Sequence, residues 1–254
     1  MNNYIEKLEF KNILNSISSS CTFFLSKKSA LNISPSKDLV EINLMQTATN
    51  DAKKIIDQGD DFSFSAIHES DIFTKEVLDN EIINIDDIYQ LNIFLKECKK
   101  IKNLFISLKK SNSLIKYADE IHELDDLIEI IDLSINDNVE IKSSASQKLK
   151  KLRKKSLSSY ESLNKELSKI LKNKNYSNYF QSDSIRYISG RSALELKSEY
   201  KNKFKGILHG SSSSNNTSYI EPLSTIDLCN QWNDYQNQIR DEEIKILKEI
   251  SNSI

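Results

Sequence analysis

Residues Asp183–Asn230, DSIRYISGRSALELKSEYKNKFKGILHGSSSSNNTSYIEPLSTIDLCN, decide the fold. They hold three of the chain's four glycines, one of its two prolines and its only period-two alternation of apolar residues. Ile185 to Ile188 and Ala193 to Ser198 read as strands separated by a turn at Ser189 and Gly190. Leu194 and Leu196 fall on one face, Glu195 and Lys197 on the other. Lys205 to His209 and Thr217 to Ile220 give two more short strands, joined by the polar loop Gly210 to Asn216. Pro222 closes the sheet, and Ser224 or Thr225 is placed to cap a following helix.

Both flanks read as long helices. From Ser146 to Lys174 the residues Leu149, Leu152, Ser156, Tyr160, Leu163, Leu167 and Ile170 advance in steps of three and four, the seam of a helix packed lengthwise on another. Leu228, Trp232, Tyr235, Ile239, Ile246 and Ile250 repeat such a seam after the sheet. The two seams satisfy each other if the helices run antiparallel, with the β element at one end of the pair. The closing residues KILKEISNSI show no helix terminator, so the returning helix is expected to be cut short.

Upstream, Ile5, Leu8, Ile13, Leu14 and Ile17 predict an amphipathic first helix from Tyr4, with Phe23, Phe24 and Leu25 continuing its buried face. Pro35 breaks the chain at Asn32 to Ser36, and Ser36 or Asp38 caps a helix that ends at Gly59. Asp60 to Ser70 reads as a connection, followed by helices at Ile72 to Leu78 and Asp86 to Leu108, the latter capped by Asp86 or Asp87. Its stripe is Ile88, Leu91, Leu95, Cys98, Ile101 and Phe105. Every charged residue from Asp119 to Glu140 is acidic, which with the interleaved leucines and isoleucines predicts a helix with a solvated acidic face. The expected fold class is therefore mainly α: a helical domain leading into long antiparallel helices that carry a small antiparallel β element.

Composition excludes several classes of function. No Gly-x4-Gly-Lys-Ser/Thr or Gly-x-Gly-x2-Gly loop occurs, so no phosphate-cradling site for ATP is encoded in these residues. His68, His122 and His209 stand apart without zinc spacing and read as surface or satisfied structural residues. No Gly-x-Ser-x-Gly elbow marks a nucleophile. No catalytic residue and no metal ligand is assigned. Cys21, Cys98 and Cys229 form no CxxC or Cys/His cluster, which fits a reducing compartment, and a cytoplasmic location is expected. The N-terminal residues lack a secretory pattern, and no apolar window is long enough to span a membrane, so no membrane partner is expected.

The positive signal is charge. Residues 142–174 carry eleven lysines and arginines against only Glu161 and Glu166, although the whole chain has a formal charge of −2. The basic run continues into the β element with Arg186, Arg191, Lys197, Lys201, Lys203 and Lys205. Lys150, Lys151, Lys154 and Lys155 on the helix join them as candidate nucleic-acid contacts, because phosphate attraction through counterion release needs clustered cations and no sequence motif. Tyr176, Tyr179, Phe180, Tyr187, Tyr200, Phe204 and Tyr219 are interleaved and suit either base stacking or a small core under the sheet.

Gly190, Arg191, Leu194, Lys197, Glu199, Tyr200, Lys203, Gly206, Ile207, His209, Ser212, Ser214, Thr217, Glu221, Pro222 and Asn230 follow one another with a spacing that resembles the second bacterial paralogue of the MutS family, which lacks mismatch-recognition and connector domains. LEF at Leu8 to Phe10 with Ile13 and Leu14, Pro35 with Leu39 and Ile42, Thr49 with Ala52, and SASQKL at Ser144 to Leu149 followed by Arg153 are similar to the same family. The chain departs from it at Ser192, Ala193 and Glu195, at Gly210 in place of an aspartate, and at Asn215 in place of a glycine.

The resemblance implies a helical core over 1–145, an outgoing lever helix over 146–182, a β clamp over 183–224 and a returning lever over 225–254. It implies a non-catalytic clamp that grips branched or duplex DNA, with Arg191, Lys197, Lys201 and Lys203 as first contacts. It further implies a full-length homodimer whose ATPase domain, with ATP and Mg, and endonuclease domain lie beyond residue 254, acting in DNA repair and suppression of recombination. Two other roles stay open: docking on the ribosome in rescue of stalled translation, and a coiled-coil spacer that only transmits ATPase state.

Overall fold

The computed structural model describes residues 9–59, 82–108, 112–122 and 124–254. The expected helix at Ile72 to Leu78, the connection Asp60 to Ser70 and the expected helix start at Tyr4 lie outside them. The chain divides into two units, one formed by Met1–Glu140 with Leu247–Ile254, the other by Ile141–Ile246.

The first unit is helical. Helix α1 spans Phe10–Ser20, α2 Phe24–Leu31, α3 Leu39–Asp57, α4 Ile85–Ser107 and α5 Asp125–Ser134. The chain turns at Cys21–Phe23, so Phe23 to Leu25 start a second helix instead of extending the first; Leu14 is the buried residue of α1 and Ile13 and Ile17 face outward. Asp38 caps α3, its carboxylate accepting from the Val40 N–H at 2.8 Å, and Gly59 follows the helix with φ of 91°. The cap of α4 is Asn84, not Asp86 or Asp87: its Oδ1 accepts from the Asp87 N–H at 2.9 Å. Both aspartates sit instead in the first turn, where acidic side chains favour the exposed N–H groups.

The acidic stretch forms a shorter helix than its charge pattern predicts. A 3-10 turn at Ile115–Ala118 precedes α5, and Ile135 leaves it in extended geometry. One part of its acidic face is not solvated but tied to α4: Asp132 accepts from Asn92 at 2.7 Å and pairs with Lys96 at 2.6 Å, and Asp125 pairs with Lys99 at 2.9 Å. Ile88, Ile101 and Ile131 are buried in this unit's core.

The second unit is organised by α6 (Gln147–Leu171) and α7 (Ile226–Ser251). Ser146 caps α6, its hydroxyl accepting from the N–H groups of Lys148 and Leu149 at 3.1 Å. The helices run antiparallel: Arg153 Nη2 bonds Glu243 at 2.7 Å, Gln236 Nε2 bonds Ser156 at 2.7 Å, and Ser159 Oγ lies 3.5 Å from Gln231. The buried seam of α6 is Leu149, Leu152, Ser156, Ser159, Leu163, Leu167 and Leu171. Ser159 and Leu171 take the places expected for Tyr160 and Ile170, a slip of one residue that turns the Tyr160 ring outward.

Between these helices the chain builds a sheet of β1 (Phe180–Ile188), β2 (Arg191–Lys197), β3 (Gly206–Ser211) and β4 (Thr217–Pro222). Its order is β1-β2-β4-β3, antiparallel throughout. Ser189 and Gly190 both have positive φ, 49° and 81°, as a two-residue hairpin turn twisted with its strands requires. Asn215 adopts φ of 58°, a conformation asparagine tolerates better than most residues. At Gly206 an added Cβ would lie 2.5 Å from the Glu221 carbonyl and from Ile220 Cγ1, so glycine is what lets β3 approach β4.

One apolar core joins sheet and helices. Leu163, Leu167 and Leu171 of α6, Phe180, Leu194, Leu196, Phe204 and Ile220 of the β element, and Cys229 of α7 are buried together. Each fully buried leucine contributes about 1.5–3 kcal/mol relative to exposure.

Candidate nucleic-acid interface

Helix periodicity sorts the cations of α6 into two sets. Residues 149, 152, 156 and 163 mark the seam; 150, 151, 154 and 155 fall on the opposite side of the helix. Lys150, Lys151, Lys154 and Lys155 are exposed there and have no ion-pair partner among the described residues. The cations beside the seam behave differently. Lys148 pairs with the buried Glu242 at 2.8 Å and Arg153 with Glu243 at 2.7 Å. Lys148 and the Ser146 hydroxyl, which donates to Glu242 at 2.6 Å, hold the Glu242 carboxyl below the usual range. The first three turns of the helix thus pair two cations with carboxylates of α7 and present these four lysines to solvent.

The β element does not bring its six candidate cations into one free patch. Arg191 is a structural residue of the sheet: Nε and Nη2 donate to Glu221 at 2.9 and 2.6 Å, and Nη1 donates to Asn230 at 2.6 Å. Glu221 is fully buried, and His209 Nε2 lies 2.7 Å from its other face of lone pairs at Oε2. The bond to Glu221 raises the Arg191 pKa further above its ordinary value. Arg186 donates from Nε to Glu195 at 2.6 Å, while its side chain stays largely in water. The Ser182 hydroxyl, at 2.5 Å, and then Arg186 lower the Glu195 pKa. Lys197 donates to the Asn178 carbonyl at 2.9 Å, and Lys203 sits 5.4 Å from the centre of the Tyr200 ring. Lys201 and Lys205 are exposed.

Glu195 and Glu221 are the site residues that sequence reasoning passed over. Their signal is the pairing register. Leu194 faces Ile220 across β2 and β4, and Arg186 faces Ala193 across β1 and β2. Arg186, Arg191, Glu195 and Glu221 therefore share one face of the sheet, with Leu194, Leu196 and Ile220 on the other. Alternation within one strand shows half of this; which strands are neighbours shows the rest.

The polar loop after β3 is held by its own backbone. The Ser212 N–H donates to the Thr217 carbonyl at 2.8 Å, the Asn215 N–H to the Ser212 carbonyl at 2.9 Å, and the Ser198 hydroxyl to the Asn215 carbonyl at 2.6 Å. The tyrosines Tyr179 and Tyr200 stack at 4.2 Å with 10° between ring planes, and Tyr176 and Phe180 meet Phe204 edge-on. Among the described residues no group of His, Cys, Asp and Glu is placed to hold a metal ion, and no helix is long and apolar enough to cross a membrane.

These features define a class: a mainly α protein with a small four-stranded antiparallel sheet set on a pair of antiparallel helices, one of them basic. No family model matches the chain. Individual relatives do. It is 28% identical over 246 residues to Endonuclease MutS2 of Lachnospira eligens, covering 97% of this chain and 30% of that protein. It is 28% identical over 258 residues to Endonuclease MutS2 of Agathobacter rectalis, covering 100% of this chain and 33% of the relative. With Endonuclease MutS2 of Caldanaerobacter subterraneus subsp. tengcongensis the identity is 29% over 253 residues, or 98% and 32% of the two chains. Over nearly its whole length the chain is thus similar to MutS2 endonucleases, members of the MutS family. It spans about a third of the length of the curated relatives it matches.

Proposed function

We propose that this chain is the non-catalytic lever and clamp region of a MutS2-type protein, gripping branched or duplex DNA in recombination control and DNA repair. In this reading α6 and α7 are the outgoing and returning levers and β1 to β4 form the clamp. The ATPase and endonuclease activities belong to the parts of the relatives outside the matched third.

The observation that supports it is the division of labour on α6. Four lysines stand free on one helical face while the adjacent Lys148 and Arg153 are bound to carboxylates of α7. Solubility alone needs no such row, whereas a polyanion is attracted by cations whose charge is not already neutralised. With Arg191 committed to Glu221, the exposed Lys201, Lys203 and Lys205 remain the first contacts of the β element.

The test is titration of a labelled branched duplex with the 254-residue chain at low and at moderate salt. Binding that weakens steeply as salt rises is expected. Absence of binding at low salt, or affinity indifferent to salt, refutes the reading.

A further inference from the structure

A groove of about 1060 Å³ opens between α6, α7 and β1. Its walls combine three aromatic rings with three arginines. Tyr160 and Trp232 meet at 5.1 Å, and Tyr187 packs edge-on against Trp232 at 5.3 Å. The outer rings stay open to solvent, Tyr160 at 41% and Tyr187 at 58% exposure. Arg153, Arg186 and Arg240 line the same groove. The first two are paired, with Glu243 and Glu195; Arg240 is exposed and has no ion-pair partner among the described residues.

The geometry points to this groove as a binding site for an unpaired nucleobase and its phosphate, that is, for a single-stranded segment of nucleic acid. Exposed aromatic rings give a base a stacking surface irrespective of its identity. Arginine guanidinium groups suit phosphate through paired N–H donors, and Arg240 supplies positive charge that no carboxylate has neutralised. The site lies on the sheet side of the helix pair, apart from the lysine row, so a junction held by its duplex on Lys150, Lys151, Lys154 and Lys155 can offer a frayed strand to a different surface. The inference rests on the nucleic-acid reading above and adds a ligand class to it.

Trp232 is the chain's only tryptophan and lies in the groove, so its fluorescence reads the site directly. A short oligothymidylate, which has no duplex form, should quench it. The double variant Tyr160→Leu/Tyr187→Leu should weaken that binding by about tenfold or more, and Arg240→Gln should weaken it also. Both tyrosines are exposed enough for the fold to survive, which far-UV circular dichroism checks. Affinity of these variants for a fully paired linear duplex, which offers no free strand, should remain as in the unaltered chain. If oligothymidylate neither quenches Trp232 nor responds to the variants while branched duplex still binds, the groove assignment is wrong and the lysine-face reading stands. If neither ligand binds, both fall.

Discussion

Replacing Glu221 by alanine should destabilise the Ile141–Ile246 unit by about 3 kcal/mol. The carboxylate is fully buried and is the acceptor for two Arg191 N–H bonds at 2.9 and 2.6 Å, with His209 Nε2 at 2.7 Å beside it. Removing one partner of a buried ion pair leaves the other desolvated and uncompensated, which costs about 3–5 kcal/mol. The low end applies because the Arg191 side chain keeps 20% of its surface in water and retains Asn230 as an acceptor. Urea denaturation followed through Trp232 fluorescence isolates this unit, since that residue packs against its apolar core. For a domain of this size the loss corresponds to a fall in Tm of roughly 12–20 °C. The double replacement Arg191→Met/Glu221→Leu removes both charges and should recover most of the loss. A cost below about 1 kcal/mol for Glu221→Ala would show that the network carries no stability and refute the reasoning.

Other substitutions probe the turn, the sheet contact and unit one. Gly206→Ala should cost about 1–3 kcal/mol in the same denaturation assay, because its Cβ would meet the Glu221 carbonyl at 2.5 Å and force β3 off β4. Ser189→Asn should add about 0.5 kcal/mol by placing Asn-Gly at two positive-φ turn positions, provided the hairpin register is kept. Asp51 accepts from the Ser113 N–H at 2.9 Å and the Ser113 hydroxyl at 2.8 Å, and these with Lys54 lower its pKa to about 2 from 3.8. A depressed carboxylate pKa gives stability that is present above pH 3.8 and lost as pH falls through about 2. Asp51→Asn should therefore flatten the acid limb of the stability profile between these values, measured by urea denaturation at successive pH.

Local chemistry was the readable part of this chain. Asp38 as a cap, Gly59 as a helix end, and the Ser189–Gly190 turn each depend on one or two residues whose backbone preference outweighs their surroundings. The four strands were legible because period-two alternation appears nowhere else. What failed was whatever depended on distant partners. Glu195 and Glu221 look like outward-facing strand acids until Arg186 and Arg191 are brought onto their face by strand order β1-β2-β4-β3. Arg191 reads as a phosphate contact because sequence shows its charge and not the carboxylate 30 residues away. Tyr160 reads as a seam residue of α6 because large aromatic residues outrank serine as core candidates; the helix buries Ser159 there, opposite Gln231. Asp86 and Asp87 competed with Asn84 for one cap, and three polar residues so close together do not discriminate by type.

The lysine face of α6 remains the claim on which the functional account depends. The decisive measurement is the salt dependence of branched-duplex binding by the chain and by its Lys150→Gln/Lys151→Gln/Lys154→Gln/Lys155→Gln variant. Each phosphate contact adds about 0.9 to the slope of log affinity against log salt, so loss of four should lower it by about 3–4, with binding weakened at every salt concentration. An unchanged slope and affinity in the variant would contradict the account.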